Sequence, residues 1–169
     1  EALLCHVGHH RDAARILIVD DEAASLRALL DILGERGYHA VGCGSGRDAL
    51  QLLRDGPFDL LLSDLMMPEM DGVELLGEAL KLDPQLVGIL MTGMGTIATA
   101  VKAMQAGALD YVLKPIKLNT LLPVLARALG VRRLRLENLA LRDQVAIHEL
   151  NQAIAHTLDP AALLERIID

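Results

Sequence analysis

The chain has 169 residues, 52% of them hydrophobic but only 2% aromatic, and a formal net charge of −7. That length holds about one domain plus an appendage, and with no Trp the core must be built from Leu, Val, Ile, Ala and Met. No stretch approaches the roughly 20 uninterrupted apolar residues of a membrane segment, no signal-peptide layout opens the sequence, and the acidic balance argues against direct nucleic-acid binding by this part of the chain.

Residues 1–14 read as a flexible tail; His6, His9 and His10 cluster there, but a solvated tail explains them better than a metal site. Cys5 and Cys43 are the two cysteines, with no CxxC spacing. Such a pair reads as reduced thiols in the cytoplasm, not a disulfide framework or a zinc site.

From residue 15 short apolar runs alternate with amphipathic stretches. Strands are predicted at 15–20, 39–43, 60–64, 88–92 and 109–113, and helices near 22–36, 46–54, 72–81 and 96–106. Leu26, Leu29, Leu30 and Leu33 recur at helical spacing in the first helix. Gly37, Gly56-Pro57, Asp83-Pro84 and Gly107 mark the joints. Five strands alternating with helices imply right-handed β-α-β units. The fold class is α/β: a five-stranded parallel sheet with helices on both faces, doubly wound in the flavodoxin-like manner, with a long C-terminal helical extension.

Charges stand at the ends of three apolar runs. Asp20-Asp21 follow Ile16-Leu17-Ile18-Val19, Asp64 follows Leu60-Leu61-Leu62-Ser63, and Lys114-Pro115 follow Tyr111-Val112-Leu113. The carboxyl ends of strands in an open α/β sheet are where ligands gather. An acid after such an apolar run costs several kcal/mol to bury unless a partner waits for it. Three carboxylates on one edge form a hard oxygen pocket suited to Mg²⁺, which also relieves their mutual repulsion. A carboxylate oxygen there can attack phosphorus while an ammonium neutralises the phosphoryl oxygens. Thr92 ends the fourth run before Gly93-Met94-Gly95; its hydroxyl either donates to a phosphoryl oxygen or caps the next helix. Asp20 and Asp21 have a simpler reading as helix caps, Tyr111 as a core aromatic, and Asp71 before Gly72 as a turn and N-cap residue.

These residues resemble the response-regulator receiver domain of two-component signalling. The likeness runs from about residue 15 to 128. It rests on Ile16-Leu17-Ile18-Val19-Asp20-Asp21-Glu22, on the run from Asp59 through Ser63-Asp64-Leu65-Met66-Met67-Pro68 to Asp71-Gly72, on Met91-Thr92-Gly93, and on Asp110-Tyr111-Val112-Leu113-Lys114-Pro115. The resemblance implies that Asp64 is the phosphoacceptor, modified by a histidine kinase or a histidine phosphotransfer domain. It makes Asp21, Asp64 and the backbone carbonyl of Met66 ligands of Mg²⁺, with Asp20 acting mainly through water. Thr92 and Tyr111 become a switch pair and Lys114 the phosphoryl-binding cation. It also makes this segment a phosphoryl acceptor with self-catalysed transfer, not an enzyme in the ordinary sense. Met66 and Met94 stand two residues after the acceptor and the threonine, positions that flank the hydrolytic water in the family. A thioether neither orients nor activates water as an amide or acid does, so self-dephosphorylation is expected to be slow.

After Lys117 no further strand is predicted. Leu122, Leu125, Leu129, Leu136, Leu139, Ala146, Leu150 and Ala153 follow alternating three- and four-residue steps, interrupted by Arg132 and Asp143. This heptad seam marks 129–156 as a coiled-coil or signalling helix that pairs with a second copy of the chain. Arg127, Arg132, Arg133 and Arg135 read as its solvated face. Asp159-Pro160 suggests a new helix start, and 157–169 resemble the opening of a GAF domain. The whole protein is therefore expected to be a hybrid sensor histidine kinase or another GAF-containing signalling protein. The alternative is a transcription factor of the nitrogen-regulator type, which 96–115 and the 132–141 linker resemble. A haloacid-dehalogenase-like phosphatase is the remote option, since its paired acids belong two residues apart after the first strand.

Overall fold

The computed structural model describes residues 13–157, with side chains through Gln152. The predicted tail at 1–14 lies almost wholly outside the described residues, and so do the histidine cluster, Cys5, Asp159 and the GAF-like 157–169 stretch beyond Thr157. Ten elements alternate: β1 (Arg15–Val19), α1 (Ala23–Glu35), β2 (His39–Cys43), α2 (Gly46–Asp55), β3 (Leu60–Asp64), α3 (Gly72–Leu82), β4 (Val87–Thr92), α4 (Ile97–Gln105), β5 (Asp110–Leu113) and α5 (Leu118–Thr157). All strands are parallel, in the order β2-β1-β3-β4-β5. The predicted five-stranded, doubly wound α/β fold is the observed one.

Side-chain alternation along the strands builds two cores, one per face. Ile16, Ile18, Leu60, Leu62, Ile89, Met91 and Val112 pack with Leu29 and Leu33 of α1 and with Leu121, Leu125 and Ala128 of α5. Leu17, Val19, Leu61 and Leu90 pack on the other face with Ala49 and Leu50 of α2, Leu75, Leu76 and Ala79 of α3, and Ala103 of α4. All five residues of the central strand β3 are buried, as expected of a parallel strand covered on both sides. Fully burying one such Leu or Ile contributes about 1.5–3 kcal/mol, so these two layers hold the frame on which the strand ends are displayed.

Local signals set the joints. Gly37 and Gly107 take φ of +85° and +95° after α1 and α4, the left-handed conformation that ends helices. Asp71 caps α3 by accepting from the Glu74 N–H at 2.8 Å, and Glu74 returns the bond to the Asp71 N–H; this is the N-cap predicted for Asp71. Thr96, not Thr92, caps α4, through the Thr99 N–H.

The chain divides into two compact units, one reaching Arg132 and one beginning at Arg133, and α5 runs unbroken through that point. Within the first unit the helix buries Leu121, Leu125, Ala128 and Arg132, whereas Leu122 and Leu129 are half-buried. Leu125 of the predicted seam is thus on the packed line, while Leu121 and Ala128 take the places expected of Leu122 and Leu129. Arg132 is not an interruption on a solvated face: its guanidinium is buried beside Asp83 and Asp59. In the second unit the side chains are exposed through Gln152, including Leu136, Leu139 and Leu150 of the seam.

Candidate functional site

Strand order decides which charges meet. β1 pairs with β2 on one side and β3 on the other, so the chain reverses direction across the sheet between β1 and β3, where open α/β sheets leave a crevice. Asp20 follows β1 and is fully buried; Asp64 ends β3 and is 7% exposed. Asp21 remains exposed. One carboxylate oxygen from each of the three lies within 4.8 Å of the others.

Lys114 completes the cluster from the end of β5. Its Nζ donates to Asp64 Oδ2 at 2.5 Å and to Asp20 Oδ2 at 2.9 Å. The Lys114 N–H donates to the Thr92 carbonyl at 2.8 Å, and the Lys114-Pro115 peptide is cis. Burial pulls the ammonium's pKa down, but the hydrogen bonds and charges of Asp64 and Asp20 outweigh it. The net pKa is raised above the ordinary lysine value, so the group is a cation throughout the neutral range.

The two buried acids are held alike. Asp20 Oδ1 accepts from the Glu22 N–H at 2.9 Å, and Asp64 Oδ1 accepts from the Met66 N–H at 3.2 Å. Each carboxylate therefore has one oxygen fixed by the backbone two residues ahead and the other by Lys114. The Asp20 bond is the cap-like role anticipated for an acid before α1, and it coexists with the ion pair.

Gly72 contributes by its lack of a side chain. A Cβ there would lie 2.3 Å from the Asp64 carbonyl oxygen, while the Gly72 N–H donates to the Leu65 carbonyl at 2.9 Å. The start of α3 thus presses directly on the end of β3. Between them Glu69 takes φ +65°, an uncommon value for a residue with a Cβ. Sequence reasoning read Asp71-Gly72 as a turn and missed this close approach; the glycine within the acidic motif was the available signal.

The remaining predicted residues lie at or near the ends of β3, β4 and β5. Thr92 is buried at the end of β4; its hydroxyl donates to the Met94 carbonyl and accepts from the Met94 N–H, both at 3.1 Å. In this arrangement its hydroxyl hydrogen is engaged by the following loop. Tyr111 is half-buried on β5, opposite Leu90. Met66 and Met94 are 74% and 71% exposed. Three closely spaced carboxylates, all hard oxygen donors, fit Mg²⁺.

The response regulator receiver domain family matches residues 16–126. The chain belongs to this family. Receivers accept a phosphoryl group, bind Mg²⁺ at an acidic pocket and interact with histidine kinases, and this chain brings Asp20, Asp21 and Asp64 into one acidic cluster. The receiver is 40% identical over 119 residues to Transcriptional regulatory protein ZraR of Escherichia coli K12, covering 70% of this chain and 27% of that protein. It is 38% identical over 141 residues to Regulatory protein AtoC of the same organism, covering 83% and 29%. Among solved structures, a CheY-like receiver from Methanospirillum hungatei JF-1 superposes with a TM-score of 0.69 at 33% identity, covering 73% of this chain and 98% of that one. NtrX from Brucella abortus, solved in complex with ATP, gives 0.73 at 33% identity, covering 85% and 34%. The chain spans little more than a quarter of the length of these curated relatives. Among the described residues no helix is long and apolar enough to cross a membrane.

Proposed function

We propose that Asp64 is the phosphoacceptor of this receiver and that Asp20, Asp21, Lys114, Thr92 and Tyr111 serve its phosphorylation and the response to it. The observation that carries the reading is the Lys114 ammonium bridging Asp64 and Asp20, with Asp21 inside the same 4.8 Å cluster. Asp64 ends a buried strand whose direction is set by its neighbours, and the Met66 N–H holds one of its oxygens. The other oxygen, now paired with Lys114, is the one to attack phosphorus. As the O–P bond forms, the bond from phosphorus to the donor's imidazole nitrogen breaks, and the leaving nitrogen keeps the electron pair. Lys114 moves its hydrogen bond from Asp64 to the incoming phosphoryl oxygens, a transfer that a flexible ammonium makes easily. Asp20, Asp21, Asp64 and the Met66 carbonyl would hold Mg²⁺, which when bound neutralises charge on the phosphoryl oxygens. Thr92 would then exchange its bond to Met94 for one to the phosphoryl group, with Tyr111 turning inward beside it.

For the whole protein, the names of the relatives favour the nitrogen-regulator-type transcription factor over the hybrid kinase. We place the receiver in such a regulator, in the cytoplasm, with a histidine kinase as its partner. Exposed Leu136, Leu139 and Leu150 of the heptad seam support pairing with a second copy through that helix. The domain limits that go with this reading are a receiver over 15–128 and a signalling helix over 129–156.

The test is incubation with acetyl phosphate and Mg²⁺, followed by intact mass and light scattering. A single phosphoryl adduct is expected in wild type and none in Asp64→Ala, with a larger association state in the modified form. An adduct that persists in Asp64→Ala removes Asp64 as the acceptor.

A further inference from the structure

The charge pair at the acidic end of β3 has a counterpart at the other end of the same strand. Asp59 immediately precedes β3; its Oδ2 accepts from the Arg15 N–H at 2.8 Å, which ties it to the start of β1. Asp83 ends α3, and its Oδ1 accepts from the Gln85 N–H at 2.8 Å just before β4. The remaining oxygen of each faces Arg132 of α5. Arg132 Nη1 lies 2.7 Å from Asp83 Oδ2, and Nε lies 3.9 Å from Asp59 Oδ1.

The Arg132 side chain is 9% exposed, and neither Nε nor Nη1 makes an aligned hydrogen bond. Its ties to the two carboxylates are ion pairs, close to Asp83 and longer to Asp59. A buried guanidinium in that setting tolerates displacement poorly, because any movement separates it from two carboxylates that the backbone holds still. Leu121, Leu125 and Ala128, all fully buried, link this point to the start of α5. The segment from Lys114 to Arg132 is therefore bracketed by two cations, each paired with two carboxylates: Lys114 at the ends of β1 and β3, Arg132 before β3 and at the end of α3.

The two brackets differ in kind. Lys114 must change partners if Asp64 accepts a phosphoryl group, whereas nothing in that step touches Asp59 or Asp83. We propose that Arg132 is a fixed anchor for α5, confining motion begun at Lys114 to the near end of the docked segment. The second half of this statement rests on Asp64 being the acceptor; the first half does not.

Hydrogen exchange on the full chain tests both halves. Without any ligand, Arg132→Met should speed exchange of amides 128–132 about tenfold or more while the strand amides stay within about twofold. Arg132→Lys, which keeps the charge, should restore most of the protection. Asp83→Asn, which keeps an acceptor for the Gln85 N–H but loses the charge, should behave like Arg132→Met and replaces it if that variant does not fold. Exchange at 128–132 unchanged in these variants overturns the anchor. With beryllofluoride and Mg²⁺ on wild type, amides 118–122 should change about threefold or more and 128–132 less than about twofold; equal responses at both ends overturn the confinement. No response anywhere in wild type, Asp64 region included, counts against the acceptor reading, and the ligand-free comparison still decides the anchor.

Discussion

Lys114 Nζ stands 2.5 Å from Asp64 Oδ2 and 2.9 Å from Asp20 Oδ2, so one ammonium bridges two carboxylates that β1 and β3 bring side by side. Removing it leaves both acids in a largely buried site without a counter-charge. Because the lysine is 21% exposed, the penalty is less than for a fully buried pair, about 2 kcal/mol. Lys114→Met should lower the free energy of urea unfolding by that amount in chelator, and Mg²⁺ should restore much of it. The same variant is expected to bind Mg²⁺ more tightly than wild type, since a competing cation is gone. It should nevertheless accept a phosphoryl group from acetyl phosphate about a hundredfold more slowly. Tight metal binding with undiminished transfer would contradict the role given to the ammonium.

Gly72 offers a steric test of how α3 positions the acceptor. Alanine there places a methyl 2.3 Å from the Asp64 carbonyl oxygen, which is backbone and has no rotamer to escape into. Gly72→Ala should cost about 2–3 kcal/mol in thermal or urea unfolding. Its crystal structure should show α3 displaced from the end of β3. Gly77, with open space around its Cβ position, provides the control: Gly77→Ala should be neutral or slightly stabilising, as alanine is in helices.

Met66 and Met94 stand two residues after Asp64 and Thr92, both largely exposed. Neither thioether holds a water in position for attack on an aspartyl phosphate. The double change Met66→Asn with Met94→Glu should shorten the phosphoryl lifetime about tenfold, followed by loss of the mass adduct after the donor is removed. A lifetime that does not change would show that these side chains do not set the timer.

Cys43 is half-buried at the end of β2, and burial pushes its thiol up from 9.0 to about 11. A backbone hydrogen bond with Ser45 partly offsets this and the charge of Asp48 adds to it. The folded thiol holds its proton more tightly than an unfolded one, so alkylation is slow at neutral pH and accelerates as pH rises toward 11. In a Cys5→Ala background, iodoacetamide at pH 8 should react about tenfold more slowly than with a free thiol, fewer thiolates being offset in part by greater nucleophilicity. By the same linkage, Cys43 stops favouring the folded state as pH climbs from 9 toward 11.

The elements and their layering were legible because period-2 and period-3.6 patterns leave few alternatives over runs of this length. β2 and β3 match their predicted limits, and the others differ by one or two residues. Capping chemistry told Asp71 correctly, since a cap is a contact across three residues. Thr92 was harder. A hydroxyl before Gly93-Met94-Gly95 satisfies a turn, a cap or a ligand equally well, and only the loop's path engages it with Met94. Arg132 was misread as solvated because its partners lie 73 and 49 residues upstream, at Asp59 and Asp83. The burial of Leu121 and Ala128 in place of Leu122 and Leu129 has the same origin: a heptad describes a helix meeting another helix, and here the helix meets a sheet.

By itself the sequence determined that five strands would each present a C-terminal edge, and which of those edges would carry charge. Burial pattern and charge are properties of consecutive residues, so a linear reading captures them. The tertiary structure decided the rest: that Asp20 and Asp64 become neighbours through the β2-β1-β3 order, that Lys114 reaches both, that Gly72 leaves room for α3 to press on Asp64, and that Arg132 grips the opposite edge. Those are distances between atoms dozens of residues apart, set by how the strands order and the helices cover them, and no local pattern encodes them.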